Sequence, residues 1–264
     1  RTMIRLADVR TGLSTEEVLT LPVPLLDPAH LNPTADAATK AVYERMRLEI
    51  GALPGVTLVA LGSTMPLRNS MLGFDLKAES KPPVPGEPMV HGDFRAADPS
   101  YFRAAGIPLL EGRQFDATDR DSSGKVVIVN QTLADRLFPG ESPLGQRIAL
   151  TSAILQFTPF TGEWRTIVGV VGNTQDGGLD AELRAVLFVP FAQEFTIFGG
   201  LVIRADSNAA ALATAATRIV RRIAPEAPIE QVLTVSQIKA ESVSPRRLNA
   251  ALISSFGLLA LIIA

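Results

Sequence analysis

Residues 18–61 read VLTLPVPLLDPAHLNPTADAATKAVYERMRLEIGALPGVTLVAL, and this stretch decides the fold. From Val18 to Leu26, Leu19, Leu21, Val23 and Leu25 fall on one face while Pro22 and Pro24 share the other parity, which predicts an edge strand. Asn32 and Pro33 form a cap and first-turn pair, and Val42, Met46, Ile50 and Leu53 follow at helical spacing. Pro54-Gly55 ends that helix, and Val56 to Leu61 is a short apolar run suited to a buried strand. The stretch is a β-α-β unit.

The same pattern returns near the other end. Leu201 to Ala205 reads as a strand, Ser207 as an N-cap, and Leu212, Ala216, Ile219 and Ile223 as one helical face. Arg218, Arg221 and Arg222 stand in the last turns, where positive charge complements the helix dipole. Pro225 and Pro228 punctuate, and Ile229 to Val235 closes the unit as a strand. Two such units separated by an insert can pair into one sheet with both helices on one face. The expected class is therefore α+β, a split ferredoxin-like β-α-β pair (a porter-like lobe) over 15–62 and 199–240, interrupted by a β-rich lobe over 63–198.

The insert has a different texture. After the Pro-dense KPPVPGEP at 81–88, short strands are expected at Met89 to Ala96, Val126 to Val129, Arg147 to Leu150, Trp164 to Val171 and Val186 to Val189. Short helices are expected at Pro99 to Ala105 and at Gln131 to Leu137, the latter capped by Asn130.

Both chain ends read as membrane-proximal. Ala250 to Ala264 (AALISSFGLLALIIA) carries no charge. As a helix it would span ~22 Å, against a hydrocarbon core of ~30 Å. Residues 245–264 are expected to begin a transmembrane helix opened by Pro245, with Leu252, Phe256, Leu259 and Ile262 as membrane-anchoring residues. Residues 1–14 (RTMIRLADVRTGLS) are expected to be the end and connector of a preceding one. A buried core helix is the competing reading of the apolar run. Arg246 and Arg247 directly precede it, a bias toward the cytoplasm that snorkelling at an outer headgroup layer can outweigh.

Bulk composition narrows the functions. A net charge of −2 with 6% aromatic residues offers no footprint for nucleic acid. The absence of cysteine removes disulfides, thiolate metal sites and cysteine nucleophiles. Asp119 to Gly124 (DRDSSG) has the opening of a calcium loop, yet its twelfth position is Asn130 in place of a bidentate Glu, so a solvated turn is the expected reading. The two histidines, His30 and His91, lack the companions of a zinc site or a Ser-His-Asp system. Gly169, Gly172, Gly177 and Gly178 match neither nucleotide-binding fingerprint and suggest a tight turn, with Asp176, Asp180 and Glu182 solvated beside it. No catalytic, cofactor-binding or metal-binding residue is expected, and no cofactor.

The wording of the insert carries a resemblance. Val126 to Gly145 (VVIVNQTLADRLFPGESPLG) resembles the signature of the MacB-like periplasmic core domain of FtsX-type ABC transporter permeases. So do Asp98 to Phe102, Gly106 to Arg113, Ile167 to Gly172 and Ser244 to Asn249, in the same order along nearly the whole chain. Among those permeases the chain is most similar to the duplicated, ATPase-less ones of acidobacteria. The resemblance implies a domain facing the periplasm or cell exterior between two helices of the bacterial inner membrane. It would transmit conformational change between those helices and periplasmic partners or substrate, without being an enzyme. Implied partners are membrane lipid, the rest of the permease, a separate cytoplasmic ATPase and a periplasmic adaptor, with a homodimer also open. A second expectation is a module capturing an apolar peptide, lipid or antibiotic, motivated by Met65, Leu67, Met71, Leu72 and Phe74. A hydrolase has only scattered carboxylates and the two isolated histidines, His30 and His91, behind it.

Overall fold

The computed structural model describes residues 17–25, 33–68, 72–83, 86–151, 163–176, 182–193 and 199–241. The fold is α+β. Strand β1 (Val18–Pro22) leads to helix α1 (Pro33–Gly51) and strand β2 (Val56–Gly62), as the opening stretch predicts. Far along the chain β10 (Gly200–Ala205), helix α4 (Ala213–Ile223) and β11 (Leu233–Thr234) repeat the unit. Their strands interleave in the order β11-β1-β10-β2, every neighbour antiparallel.

The alternation read from the sequence puts the right residues on the helical face. Leu19, Leu21 and Val23 pack with Tyr43, Met46 and Ile50 of α1 and with Ala216 and Val220 of α4. The opposite parity, Val18, Ala60 and Val202, packs into a second apolar cluster. Because both faces of the layer are covered, its strands are buried on both sides.

Four local expectations give way. The first strand ends at Pro22, and β1 is flanked on both sides, by β10 and by the two residues of β11. Prolines are tolerated there because Pro22 contributes a carbonyl, which accepts the Glu230 N–H at 3.3 Å. Ser207 is no N-cap: its hydroxyl bonds Asp206 Oδ1 at 3.0 Å, and a 3₁₀ turn (Ala209–Leu212) intervenes before α4. The strand expected over Ile229 to Val235 is reduced to Leu233–Thr234.

Between β2 and β10 lie β3 (Gly73–Ala78), β4 (Val90–Ala97), helix α2 (Tyr101–Ala105), β5 (Leu109–Gly112), β6 (Val126–Asn130), helix α3 (Gln131–Leu137), β7 (Arg147–Leu150), β8 (Arg165–Val171) and β9 (Val186–Pro190). Sequence reading places all but β3 and β5. Six of these strands close on themselves in the order β4-β3-β7-β8-β6-β9, with β9 returning to pair β4 in parallel. The result is a small barrel, with β5 laid outside it against β8. Gly169 permits that approach: a Cβ there would stand 2.3 Å from Arg113 O, so this glycine lies inside a strand at a crossing and makes no turn.

Among the described residues no helix is long and apolar enough to cross a membrane. Segments 1–14 and 245–264, with Leu252, Phe256, Leu259 and Ile262, lie outside the described residues.

Candidate functional site: the junction between layer and barrel

Barrel and layer are joined on two faces. On one, α2 lies across β2 and β10. Tyr101 donates its hydroxyl to Thr64 O at 2.8 Å, and Arg204 Nε of β10 donates to Ala104 O at 3.1 Å. The second apolar cluster runs without a break through this face, from Val18, Ala60 and Val202 to Phe102, Ile128 and Phe188. Phe102 and Phe188 meet edge-on at 5.0 Å. On the other face, Tyr43 of α1 stands edge-on to Phe191 with centroids 5.8 Å apart, and its hydroxyl donates to Val23 O at 2.6 Å.

Beside the Tyr43–Phe191 contact a cleft of about 410 Å³ opens between α1 and the barrel. Lys40, Glu44 and Arg47 of α1 form one wall, at i, i+4 and i+7 and hence on one helical face. The facing wall comes from three separate segments: Asp98 to Ser100 after β4, Phe115 to Arg120 after β5, and Pro190 to Ala192 at the end of β9.

The charges in the cleft are unevenly satisfied. Arg47 donates through Nε to Glu44 at 2.8 Å and holds that carboxylate below its ordinary pKa, chiefly by the hydrogen bond. Lys40 Nζ reaches Ala192 O at 3.4 Å. Asp119 accepts both arms of Arg113 at 2.7 and 2.8 Å and the Asp116 N–H at 2.9 Å. Asp98 is different. Only 8% exposed, it accepts the Ser100 N–H at 2.9 Å, and burial raises its pKa to about 6 against the weaker pull of backbone hydrogen bonds and distant Arg47.

A second buried polar group lies on the barrel wall. Arg95 and Asp93 of β4 are each 2% exposed. Arg95 Nη2 stands 2.9 Å from Asp176 Oδ2, its guanidinium carbon lies 5.9 Å from the Phe188 centroid, and Asp93 takes both arms of Arg184 at 2.7 Å. Arg95 Nε and Asp176 Oδ1 are buried without hydrogen-bond partners.

Several sequence expectations resolve differently. Asp176, read as solvated, is 2% exposed because Arg95 draws it inward; Glu182 is exposed, and Asp180, Gly177, Gly178 and His30 lie outside the described residues. In the calcium-like turn Asp119 is spent on Arg113 and buried, while Lys125 pairs with Asp121 at 3.0 Å, so this turn is held by ion pairs and is not simply solvated. His91 is an exposed strand residue, 3.1 Å from Asp75 on the neighbouring strand. Of the apolar residues that motivated ligand capture, Met65 and Leu67 are turned into the second cluster at 5% and 6% exposure. Leu72 and Phe74 pack against the first cluster, and Met71 lies outside the described residues. Asn130 caps α3 as expected. The cleft is the feature that sequence reading missed. Asp98-Pro99-Ser100 was the available signal, a buried acid ahead of a short helix.

Comparisons with known proteins agree with this architecture. The profile of the MacB-like periplasmic core domain matches residues 28–232. A macrolide export ATP-binding/permease protein MacB of Marinobacter nauticus is 30% identical over 93 residues, 35% of this chain and 13% of that protein. MacB 1 of Aeromonas hydrophila is 31% identical over 113 residues, 42% of this chain and 16% of that protein. The chain thus spans a small part of these relatives' length. The crystal structure of the periplasmic region of MacB from Actinobacillus actinomycetemcomitans superposes with a TM-score of 0.57 at 14% identity, covering 90% of this chain and 97% of that one. The extracellular domain of the noncanonic ABC-type transporter YknZ from Gram-positive bacteria gives 0.50 at 16% identity, covering 82% and 100%. At such identities the likeness concerns the fold. With the family profile covering most of the chain, and the fold agreeing, the chain belongs to the family of MacB-like periplasmic core domains, the periplasmic part of ABC-type transporter permeases.

Proposed function

We propose that this domain works mechanically, carrying displacement from membrane helices to partners or substrate outside the membrane, and that it performs no covalent chemistry. One observation carries the reading. The second apolar cluster runs unbroken from the layer into the barrel, so a tilt imposed at the layer moves the barrel with it. Close-packed interiors transmit strain in this way, whereas two bodies joined only by a chain would absorb it. The order β11-β1-β10-β2, with α1 and α4 packed together, supports a split ferredoxin-like lobe over 15–62 and 199–240. The barrel would be the inserted lobe over 63–198. In this reading 1–14 and 245–264 root the lobe in the inner membrane, Leu252, Phe256, Leu259 and Ile262 facing lipid. A cytoplasmic ATPase would supply the motion and a periplasmic adaptor would receive it.

The test uses the intact membrane protein. This chain contributes no cysteine, so in an intact protein whose other cysteines have been replaced, Ser80→Cys on the barrel and Arg45→Cys on α1 can be labelled selectively. Fluorescence transfer between these dyes should stay constant through the transport cycle, while transfer from Ser80→Cys to the membrane surface changes. A cycle-dependent change between the two dyes, or labelling of Ser80→Cys only from the cytoplasmic side, overturns the reading.

A further inference from the structure

We infer that the cleft between α1 and the barrel is a binding site for a small ammonium-bearing molecule with an apolar body, and that Asp98 is its counter-charge. This goes beyond the mechanical function and does not depend on it.

Size is the first argument. At about 410 Å³ the cleft lies within the range of small-ligand sites and holds roughly a dozen waters at ~30 Å³ each, which an apolar ligand would release. The lining is the second. Phe115 and Phe191 are 3% and 6% exposed, and Leu61, Pro99 and Pro190 complete a largely apolar surface. Such a surface selects for a hydrocarbon body, and aromatic rings also favour a cation over their faces.

Charge sets the sign. Lys40, Arg47 and Arg120 line the cleft together with Glu44, Asp98, Asp116 and Asp119. Glu44 is taken by Arg47, Asp119 by Arg113, and Asp116 accepts the Thr118 N–H at 2.8 Å. Lys40 is bonded across the cleft, and Arg120 is exposed at its rim. Among the described residues no cation forms an ion pair with Asp98; Arg47 attracts it only from a distance, and burial raises its pKa to about 6. At neutral pH the carboxylate is charged, desolvated and held only by backbone hydrogen bonds, at Leu61 and Ser100. An ammonium supplies the missing cation. A carboxylate ligand would meet Asp98 as a like charge, and an alcohol would leave the charge unpaired.

The test is calorimetric titration of the full chain with 4-phenylbutylammonium, against 4-phenylbutan-1-ol and 4-phenylbutanoate as probes of equal shape. The ammonium should saturate one site at pH 7.5, with the alcohol and carboxylate at least about tenfold weaker. Its affinity should fall about tenfold on going to pH 5, as Asp98 takes up a proton. Asp98→Asn should remove both the preference over the alcohol and this pH dependence. Ala117→Trp, an exposed substitution on the cleft wall, should block binding while leaving Asp98 in place. Absence of saturable binding, equal affinity for ammonium and alcohol, or an unchanged affinity in Asp98→Asn overturns the assignment. None of these outcomes bears on the dye-pair measurement.

Discussion

The ring of Tyr101 fills the space that a side chain on Gly62 would need, with Cε2 2.5 Å and Cδ2 2.8 Å from the ideal Cβ position. Gly62 is the last residue of β2 and pairs with both Gly200 of β10 and Ala97 of β4, so the layer meets the barrel at this glycine. Only a residue without a Cβ lets α2 lie down there. Gly62→Ala should cost about 1–3 kcal/mol by overpacking. Tyr101→Phe keeps the ring but loses the bond to Thr64 O, and should cost about 1 kcal/mol. Urea denaturation of both variants measures the two effects.

Asp98 makes stability depend on pH in an unusual direction. Its folded pKa is raised from 3.8 to about 6, so between these values the folded chain keeps a proton that the unfolded chain has released. The stabilisation from the neutral carboxyl is complete below about pH 4 and lost as pH rises through 6. Above pH 6 the buried charge costs up to about 3 kcal/mol. Asp98→Asn should therefore be more stable than the parent by about 1–3 kcal/mol at pH 7.5, the gap closing toward pH 4. Denaturation midpoints across that range would show it.

Arg95 and Asp176 are a buried pair, 2.9 Å apart, so Arg95→Met strands Asp176 in the barrel wall, and Asp176→Leu leaves Arg95 only the longer contact to Asp93 at 3.8 Å. Arg95→Met or Asp176→Leu alone should cost about 3–5 kcal/mol. The double replacement should recover most of that loss, because both desolvation penalties leave together. A double-mutant cycle in guanidinium measures the coupling.

Asn130 uses its side chain in both senses. Oδ1 accepts the Leu133 N–H at 3.0 Å and the Val186 N–H at 2.9 Å, while Nδ2 donates to Arg184 O at 2.8 Å. It ties α3, β6 and β9 together at the barrel rim. Asn130→Ala removes a cap and leaves the Val186 N–H without its side-chain acceptor, for an expected loss of about 2–4 kcal/mol. Asn130→Asp keeps both acceptors and buries a charge beside the Arg184 carbonyl, so it should not rescue stability at pH 7.5. Thermal melts of the two variants distinguish these terms.

What the sequence made legible follows from how local each signal is. The alternation Leu19, Leu21, Val23 and the spacing Met46, Ile50 are properties of neighbouring residues, and both place the correct face on the core. Asn130 announced itself because a cap acts three residues away. Strand β5 escaped notice because all four of its residues are exposed and Gly169, far along the chain, makes room for it. Asp176 read as solvent-facing because its partner Arg95 lies on a strand distant in sequence. The cleft was hidden for the same reason: its walls come from five separated segments, and the environment that perturbs Asp98 exists only once they meet.

Gly62 and Gly200, where the chain leaves the layer and returns to it, stand directly opposite each other in antiparallel register. Opposed residues of such a pair are separated by roughly 5 Å, the span of an ordinary hairpin turn. The whole barrel is therefore grafted at a doorway two residues wide. Descent with modification can lengthen or shorten the barrel beyond that doorway while the four strands behind it keep their pairing, provided the face that covers Val18, Ala60 and Val202 is kept. A common root could in this way come to carry heads of different size in different lineages.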